Sequence, residues 1–484
     1  MRVLLISPPN VEPIRAGIPL EIDEEIGAIP SLGLMYLAQA VHDQKKHEVS
    51  ILDTRIEDLS YEEYTDRIVT FKPDLVGITT MSFTLNNVIN TVQFINKKLP
   101  KTLICLGGPH LKNYSEETLK LKNIRVDYIV KGEGEKTFPQ LLDRIETGES
   151  LEDIEGIGYK KDGKIFINPT TSLIDSLDSI RWPDRRLVPY KLCYSILGNG
   201  EIMTTIQTSR GCPYNCIYCH EARSKYRRRN VYDVIDEIEH CVSLGIKDFF
   251  FIDDLFTLNK QWILTFCRLL IEKGLKIKFK ISARVNTIDG EILQWLNKAG
   301  CYRIHYGIES ASQRVLDVLQ KKITLRQQKE AVFLTKKAGI RTFCYFILGS
   351  PSETKEEILK TIDYAIELDS DYAHFAIAVP YPGTQLYKDG IKEGIFSCDF
   401  WREFAENPHR DFKPQLWLSL PKNELAGLQT YANKRFYNRP KVFLRELLNT
   451  NSMQQLCRKI RVALKLLFPG RHDRRHGSLE KQKI

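Results

Sequence analysis

Thr208-Ser209-Arg210-Gly211-Cys212-Pro213-Tyr214-Asn215-Cys216-Ile217-Tyr218-Cys219-His220 follows directly on an apolar, strand-like run at residues 203–208. Three cysteines, at 212, 216 and 219, fall within eight residues of a single loop. Thiolates are the usual ligands of iron–sulfur clusters, and three ligands on a cube with four iron corners leave one iron open to a small molecule. The competing reading is zinc. A structural zinc site takes four ligands, commonly from two paired knuckles. His220 would have to supply the fourth, and its adjacency to Cys219 makes a tetrahedral fit awkward.

The sequence after the loop keeps alternating. Strand-like runs recur at residues 248–252, 277–282, 303–308, 342–348 and 374–379, with helical patterns at 231–244, 258–273, 290–298, 325–337 and 355–368 between them. Six strands with crossover helices over 201–400 fit a partial (β/α) barrel, whose chemistry sits at the carboxyl ends of its strands. Residues 1–150 show a second α/β series, with apolar runs at 3–6, 49–52, 75–79, 103–106 and 128–130. Short strands that are apolar throughout imply a parallel sheet covered on both faces, an open doubly wound domain with its ligand at the strand ends. Residues 151–200 break the pattern with a hairpin turning at Asp162-Gly163 and a connector containing Trp182-Pro183, read as a linker. Residues 401–484 read as a helical extension with a basic tail.

With 484 residues, 43% hydrophobic and 27% charged, the chain has the composition of a soluble multidomain protein. No run of about 18 apolar residues is present, and the opening Met1-Arg2-Val3-Leu4-Leu5-Ile6 reads as a first strand, not a signal peptide. Eleven cysteines, scattered outside the one loop, fit a reducing cytoplasm, with Cys105, Cys241, Cys267 and Cys344 as buried apolar residues. The net charge of +9 is local. Residues 441–484 hold 11 basic and 3 acidic residues, and the remaining 59 and 58 nearly cancel. Leu456, Ile460, Ala463, Leu464 and Leu467 share one helical face of that tail, the pattern of a helix that packs on the barrel or lies on an anionic membrane surface. Nucleic-acid binding is not expected, because no aromatic platform accompanies the basic residues. Arg227-Arg228-Arg229 forms a triplet able to attract an acidic substrate or an electron donor.

The C-x3-C-x2-C loop with Tyr218 before its last cysteine resembles that of the radical S-adenosylmethionine superfamily. The resemblance continues at the strand ends: Asp253-Asp254-Leu255-Phe256, Ser282-Ala283-Arg284, Gly307-Ile308-Glu309-Ser310, Gly349-Ser350-Pro351-Ser352-Glu353-Thr354 and Pro380-Tyr381-Pro382-Gly383-Thr384. Asp253-Asp254 stands where many relatives carry Gly-Gly-Glu, a replacement usual in the branch with an N-terminal cobalamin-binding domain. The first domain resembles that branch too, through Gly77-Ile78-Thr79-Thr80-Met81-Ser82, Gly107-Gly108-Pro109-His110 and Val130-Lys131-Gly132-Glu133-Gly134-Glu135.

The resemblance implies a [4Fe–4S] cluster on Cys212, Cys216 and Cys219, with S-adenosylmethionine contacted by Tyr218, Asp253, Ser282, Arg284 and Glu309. It implies cobalamin against Thr79, Thr80, Ser82, Gly107, Gly108, Gly132, Glu133 and Gly134. The loop at 7–15 contains no histidine where many cobalamin domains place the cobalt ligand, so no protein nitrogen on cobalt is expected. The implied activity is a 5′-deoxyadenosyl radical enzyme that C-methylates an unactivated carbon of a small molecule or lipid, fed by a low-potential electron donor. The alternative is a radical cyclase or rearrangement with the same cofactors. Superfamily methylthiotransferases carry a second cluster in the N-terminal domain, and here residues 1–200 hold only Cys105 and Cys193. His220 is expected at the surface, one of His305 and Tyr306 inside the barrel, Tyr345 and Phe346 in the core, and Lys321-Lys322 in solvent.

Overall fold

The computed structural model describes residues 1–9 and 27–448, apart from 171, 196, 199 and 200. The first domain is built on a seven-stranded sheet of order β2-β1-β3-β4-β5-β6-β7. Its strands are β1 (Arg2–Ser7), β2 (Glu48–Asp53), β3 (Leu75–Thr79), β4 (Leu103–Gly107), β5 (Tyr128–Val130), β6 (Ile157–Lys161) and β7 (Lys164–Ile167). The first five are parallel, and the last two add antiparallel to β5. The hairpin read as part of a linker therefore extends this sheet. Asp162 and Gly163, both at positive φ, make the tight turn.

Alternation puts Val3, Leu5, Leu75 and Cys105 under helices α1 (Leu32–Asp43) and α5 (Gly134–Thr147). Leu4, Ile6, Val76 and Ile104 face α2 (Tyr61–Phe71) and α3 (Leu85–Lys98) on the other side. With both faces closed, a ligand has access only to the carboxyl edge of the sheet. Helix α4 (Ser115–Lys120) completes the cover near β6.

The second sheet is entirely parallel, in the order β15-β14-β13-β12-β11-β8. Its members are β8 (Met203–Ile206), β11 (Asp248–Phe251), β12 (Lys278–Ala283), β13 (Cys301–Glu309), β14 (Arg341–Leu348) and β15 (Tyr372–Ile377). Side chains pointing out, including Phe249, Ile281, Ile304, Cys344 and Phe375, are buried under the crossover helices. The chain before β8 closes the amino end of the barrel, where Lys280 donates to Ser195 Oγ at 2.9 Å and Arg303 to the Leu197 carbonyl at 3.2 Å.

The C-terminal extension binds both units. Trp401, on a short helix at Phe400–Glu406, is fully buried in the core shared with the first domain, and its indole donates to the Pro380 carbonyl. The helix at Lys422–Tyr437 lies on β15, with Gln429 Nε2 donating to the Phe375 carbonyl. The amphipathic tail at 456–467 lies outside the described residues. Among the described residues no helix is long and apolar enough to cross a membrane.

Candidate active site

The cysteine loop is fixed from both ends. At its start, the Thr208 N–H and hydroxyl and the Ser209 hydroxyl all donate to the Asp253 carboxylate. The two-residue strands β9 (Ser209–Arg210) and β10 (Arg227–Arg228) then pair antiparallel. Gly211 has φ +88°, and a Cβ there would sit 2.4 Å from the Lys225 carbonyl oxygen, so no other residue fits. Further along, Cys212 N–H donates to Ser224 Oγ and Ile217 N–H to the Leu319 carbonyl.

Cys212, Cys216 and Cys219 are all unpaired thiols, and burial pushes that of Cys219 up to about 11. Arg284 Nη1 lies 3.4 Å from Cys216 Sγ, a donor suited to a thiolate. His220 is half-exposed and paired with Glu221 at 3.2 Å, so it stands apart as a fourth ligand, as expected of a surface residue. Among the described residues no three His, Cys, Asp or Glu side chains converge on a single ion. Three thiols on one loop, each serving its own iron corner, fit a [4Fe–4S] cluster.

Next to the loop, three of the expected residues converge. Tyr218 OH donates to Glu309 Oε1 at 2.8 Å, and Lys321 Nζ reaches the same oxygen at 2.6 Å and Tyr218 OH at 3.1 Å. Arg284 donates to the Lys321 carbonyl and stacks 3.7 Å over the Tyr214 ring. Glu309 itself has φ +67°, at a register shift between β13 and β14. A non-glycine residue at positive φ is held there by its surroundings, here the bonds from Tyr218 and Lys321.

Lys321 corrects the expectation of a solvated lysine. It is buried in this group, between Gln320 and Lys322, both at positive φ. That backbone geometry turns it inward, and no periodic pattern could have signalled it. Asp253 is also buried and spent on Thr208 and Ser209, whereas Asp254 beside it is exposed and accepts from Gly211 N–H at 3.0 Å. Ser282 is half-buried on the inner face of β12.

At the carboxyl edge of the first sheet the expected residues divide. Gly108 has φ +110°, and a Cβ there would meet the Thr80 carbonyl oxygen at 2.7 Å. Above Gly107 nothing lies nearer than 3.9 Å, leaving its backbone open to a ligand. Gly132 has φ +91°, and Gly134 is pressed against Leu37. Thr79 and Ser82 are half-buried at this edge, but Thr80 is fully buried and its N–H donates to the Gly107 carbonyl.

Ser82 Oγ lies 2.9 Å from His110 Nδ1. The Thr118 hydroxyl donates to a carbonyl, so at 3.2 Å it accepts from His110 Nε2–H. Both ring nitrogens are thus engaged, and burial lowers the histidine to about 4.

Glu133 does not face this edge. Arg227 donates to it at 2.7 and 2.8 Å and Arg210 at 3.0 Å, while Arg210 also pairs with Glu135 at 2.6 Å. Burial alone would raise the Glu133 pKa, but the bonds from Arg227, the Ile174 N–H and Arg210 hold it at about 2. Arg229 is likewise engaged with Asp233 and Glu237, and Glu237 also pairs with the fully buried Arg185. The arginine triplet is therefore structural: Arg227 joins the two domains two residues from the cysteine loop's own clamp, and Arg228 stacks on Trp262 at 4.3 Å.

The family model of the radical SAM superfamily matches residues 206–365, and that of the B12 binding domain matches residues 27–142. An uncharacterized methyltransferase of Pyrococcus horikoshii is 34% identical over 456 residues, covering 92% of this chain and 95% of that protein. The chain belongs to the cobalamin-binding radical S-adenosylmethionine enzymes. Its cofactors are a [4Fe–4S] cluster, S-adenosylmethionine and cobalamin. The anaerobic magnesium-protoporphyrin IX monomethyl ester cyclase of Rubrivivax gelatinosus is 31% identical over 409 residues, 82% of this radical enzyme and 72% of the cyclase. The methyltransferase TsrM of Kitasatospora setae, solved with cobalamin and its cluster, superposes with a TM-score of 0.65 at 20% identity over 81% of this chain and 78% of its own. At that identity the likeness establishes the fold, a B12-binding domain followed by a radical SAM barrel.

Proposed function

We propose that this enzyme transfers a methyl group to an unactivated carbon of a small molecule. The observation that carries the reading is the clamp of Glu133 and Glu135 on Arg210 and Arg227. It ties the turn after β5, at the edge suited to cobalamin, to the strand that enters the cysteine loop. When bound, the cluster and S-adenosylmethionine supply carbon-radical chemistry and cobalamin supplies the methyl group.

The chain's own part is placement. Cys212, Cys216 and Cys219 hold the cluster, and Arg284 steadies the Cys216 sulfur. Tyr218, Glu309 and Lys321 offer a carboxylate, a phenol and an ammonium within 3.1 Å of one another for the adenosylmethionine. Thr79, Ser82, Gly107, Gly108 and Gly132 form the cobalamin edge. His110 is spent on Ser82 and Thr118, which supports cobalt without a protein nitrogen ligand. A soluble, low-potential electron donor and a cytoplasmic location fit the unpaired cysteines.

The test is anaerobic incubation of reconstituted holoenzyme with S-adenosylmethionine carrying a deuterated methyl group and small-molecule extract of a deletion strain, read by mass spectrometry. Label transferred to a metabolite that accumulates in the deletion strain is the expected result. Formation of 5′-deoxyadenosine with a changed metabolite but no label would move the reading to a cyclase or rearrangement.

A further inference from the structure

The inner face of the barrel carries polar chemistry that the cluster, adenosylmethionine and cobalamin sites do not use. On β13 to β15, outward residues such as Phe346 and Phe375 are fully buried, but inward Tyr345, Ile347, His374 and Ala376 are only half-buried. Ile252 and Ser282 on the opposite side of the barrel are half-buried as well. These side chains border a lumen reached from the mouth at Glu309. The floor is closed: His305 is buried against Phe250 and Phe343, and beneath them Lys280 and Arg303 bond the segment before β8.

The polar groups of the lumen have fixed roles. Arg303 Nε can only donate, and it lies 3.1 Å from His305 Nε2, so that nitrogen is the acceptor and the ring proton is on Nδ1. His305 Nδ1–H then donates to Tyr345 Oη at 3.0 Å, which directs the phenol's own proton away from the histidine. Tyr345 is the direct register partner of His374 on β15, and their rings meet edge to face with centroids 5.7 Å apart. His374 Nε2 is buried and has no hydrogen-bond partner in the protein, and burial lowers this histidine to about 4, so it is neutral near pH 7. An unsatisfied buried nitrogen carries a desolvation penalty that a bound polar group would relieve. Below lie the Arg303 guanidinium, the Asp248 carboxylate and Lys280, which burial and the neighbouring Arg303 lower to about 7, so that an incoming anion would favour its charged form. Ile252, which also packs against the first domain's core, Ile347 and Ala376 add apolar surface to the wall beside Ser282.

We propose that this lumen is the substrate pocket and takes a small organic carboxylate, acid end first, with His374 as the residue that binds the acid group. The inference rests on the methyl-transfer reading and names its substrate class. The acid accepts from His374 Nε2–H, with Arg303 and Lys280 below it. The apolar remainder of the molecule lies along Ile252 and Ile347, closer to the mouth, where a hydrogen would be removed.

The test uses phenylacetate and phenylacetamide as probes on anaerobically reconstituted protein with S-adenosylmethionine present, read by saturation-transfer NMR. Phenylacetate should bind saturably, and the amide about tenfold or more weaker. His374→Phe should weaken phenylacetate about tenfold, the loss of about 1.4 kcal/mol of hydrogen bonding. His374→Gln keeps a donor and should stay within about threefold of the parent. Absence of saturable binding, equal binding of acid and amide, equal binding by His374→Phe, or loss in both variants would overturn the pocket. Because no methyl transfer is read, a failure here leaves the proposed reaction standing, and failure of label transfer leaves the pocket assignment intact.

Discussion

Ile104 and Cys105 are neighbours on β4, and both are buried, one on each face of the N-terminal sheet. On β14 of the barrel, Phe346 is fully buried while its neighbours Tyr345 and Ile347 are half-buried. Both sheets are built on parallel strands alternating with helices, the first extended by the antiparallel β6 and β7. The first is covered twice and offers a ligand only its edge. The second is covered by helices on the outside, and inward residues such as Tyr345, Ile347, His374 and Ala376 stay half-buried. Stability should therefore be concentrated in the first sheet and on the outside of the second, and chemistry at the first sheet's edge and inside the second.

The largest effect belongs to the loop, which sits in neither core. Replacing Cys212, Cys216 and Cys219 together with Ala should remove the roughly four irons expected of one [4Fe–4S] cluster and abolish reductive cleavage of S-adenosylmethionine. Thermal unfolding of the apoprotein should barely move. Cleavage retained by the triple variant would contradict the assignment.

The two sheets should differ sharply under the same truncation. Ile104 is fully buried, so Ile104→Ala should cost about 2–5 kcal/mol. Ile347 faces the lumen, and Ile347→Ala should cost on the order of 1 kcal/mol, because little cavity is created in already open space. Denaturant unfolding of the apoprotein measures both, and equal costs would mean that the lumen is packed shut.

The architecture was legible because apolar runs of four to eight residues separated by amphipathic stretches admit few alternatives. All six barrel strands fall within a few residues of the bounds that the apolar runs predict. The hairpin of β6 and β7 is legible as local structure, but its place on β5 is not, since pairing across a sheet is a long-range property. Single-residue roles were the weaker part. Asp253 and Asp254 are adjacent and chemically identical, yet one is buried on Thr208 and Ser209 and the other is exposed. Glu133 lies inside a glycine-rich strand end that suggests a ligand, and only the fold brings Arg210 and Arg227 to it. Lys321 and Tyr345 were expected in solvent and in the core, and both face the barrel interior, for reasons of local φ and strand phase.

The clamp between the sheets should have an intermediate effect. Glu133 is mostly buried and bonded by two arginines, so Glu133→Gln should cost on the order of 2 kcal/mol, between exposed and fully buried pairs. Its folded pKa of about 2 lies below the roughly 4.3 of a free glutamate, so the fold favours the carboxylate form. The stabilisation is complete above about pH 5 and is lost as pH falls towards 2. Melting temperatures of wild type should therefore decline more steeply over that window than those of Glu133→Gln. If the clamp also sets the approach of cobalamin to the cluster, the variant should form more 5′-deoxyadenosine per methyl group transferred. Parallel pH profiles and an unchanged ratio would reduce the clamp to an ordinary surface pair.

The smallest effect should come from Arg284, and it concerns electrons, not stability. Its guanidinium lies 3.4 Å from Cys216 Sγ and is held in place by the Lys321 carbonyl and the Tyr214 ring. A positive charge and hydrogen-bond donor beside a cluster sulfur favour the reduced, more negative cluster, and so raise its potential. Arg284→Gln keeps the side chain's bulk near the ring but removes the charge. The midpoint potential should then move to more negative values by tens of millivolts, about 1 kcal/mol for one electron. Redox titration followed by electron paramagnetic resonance, without S-adenosylmethionine, isolates this from any cofactor contact, and iron content should stay at the wild-type level. A potential that does not move, or moves upward, would show that the guanidinium does not act on the cluster and serves only the Tyr214 stack and the turn at Lys321.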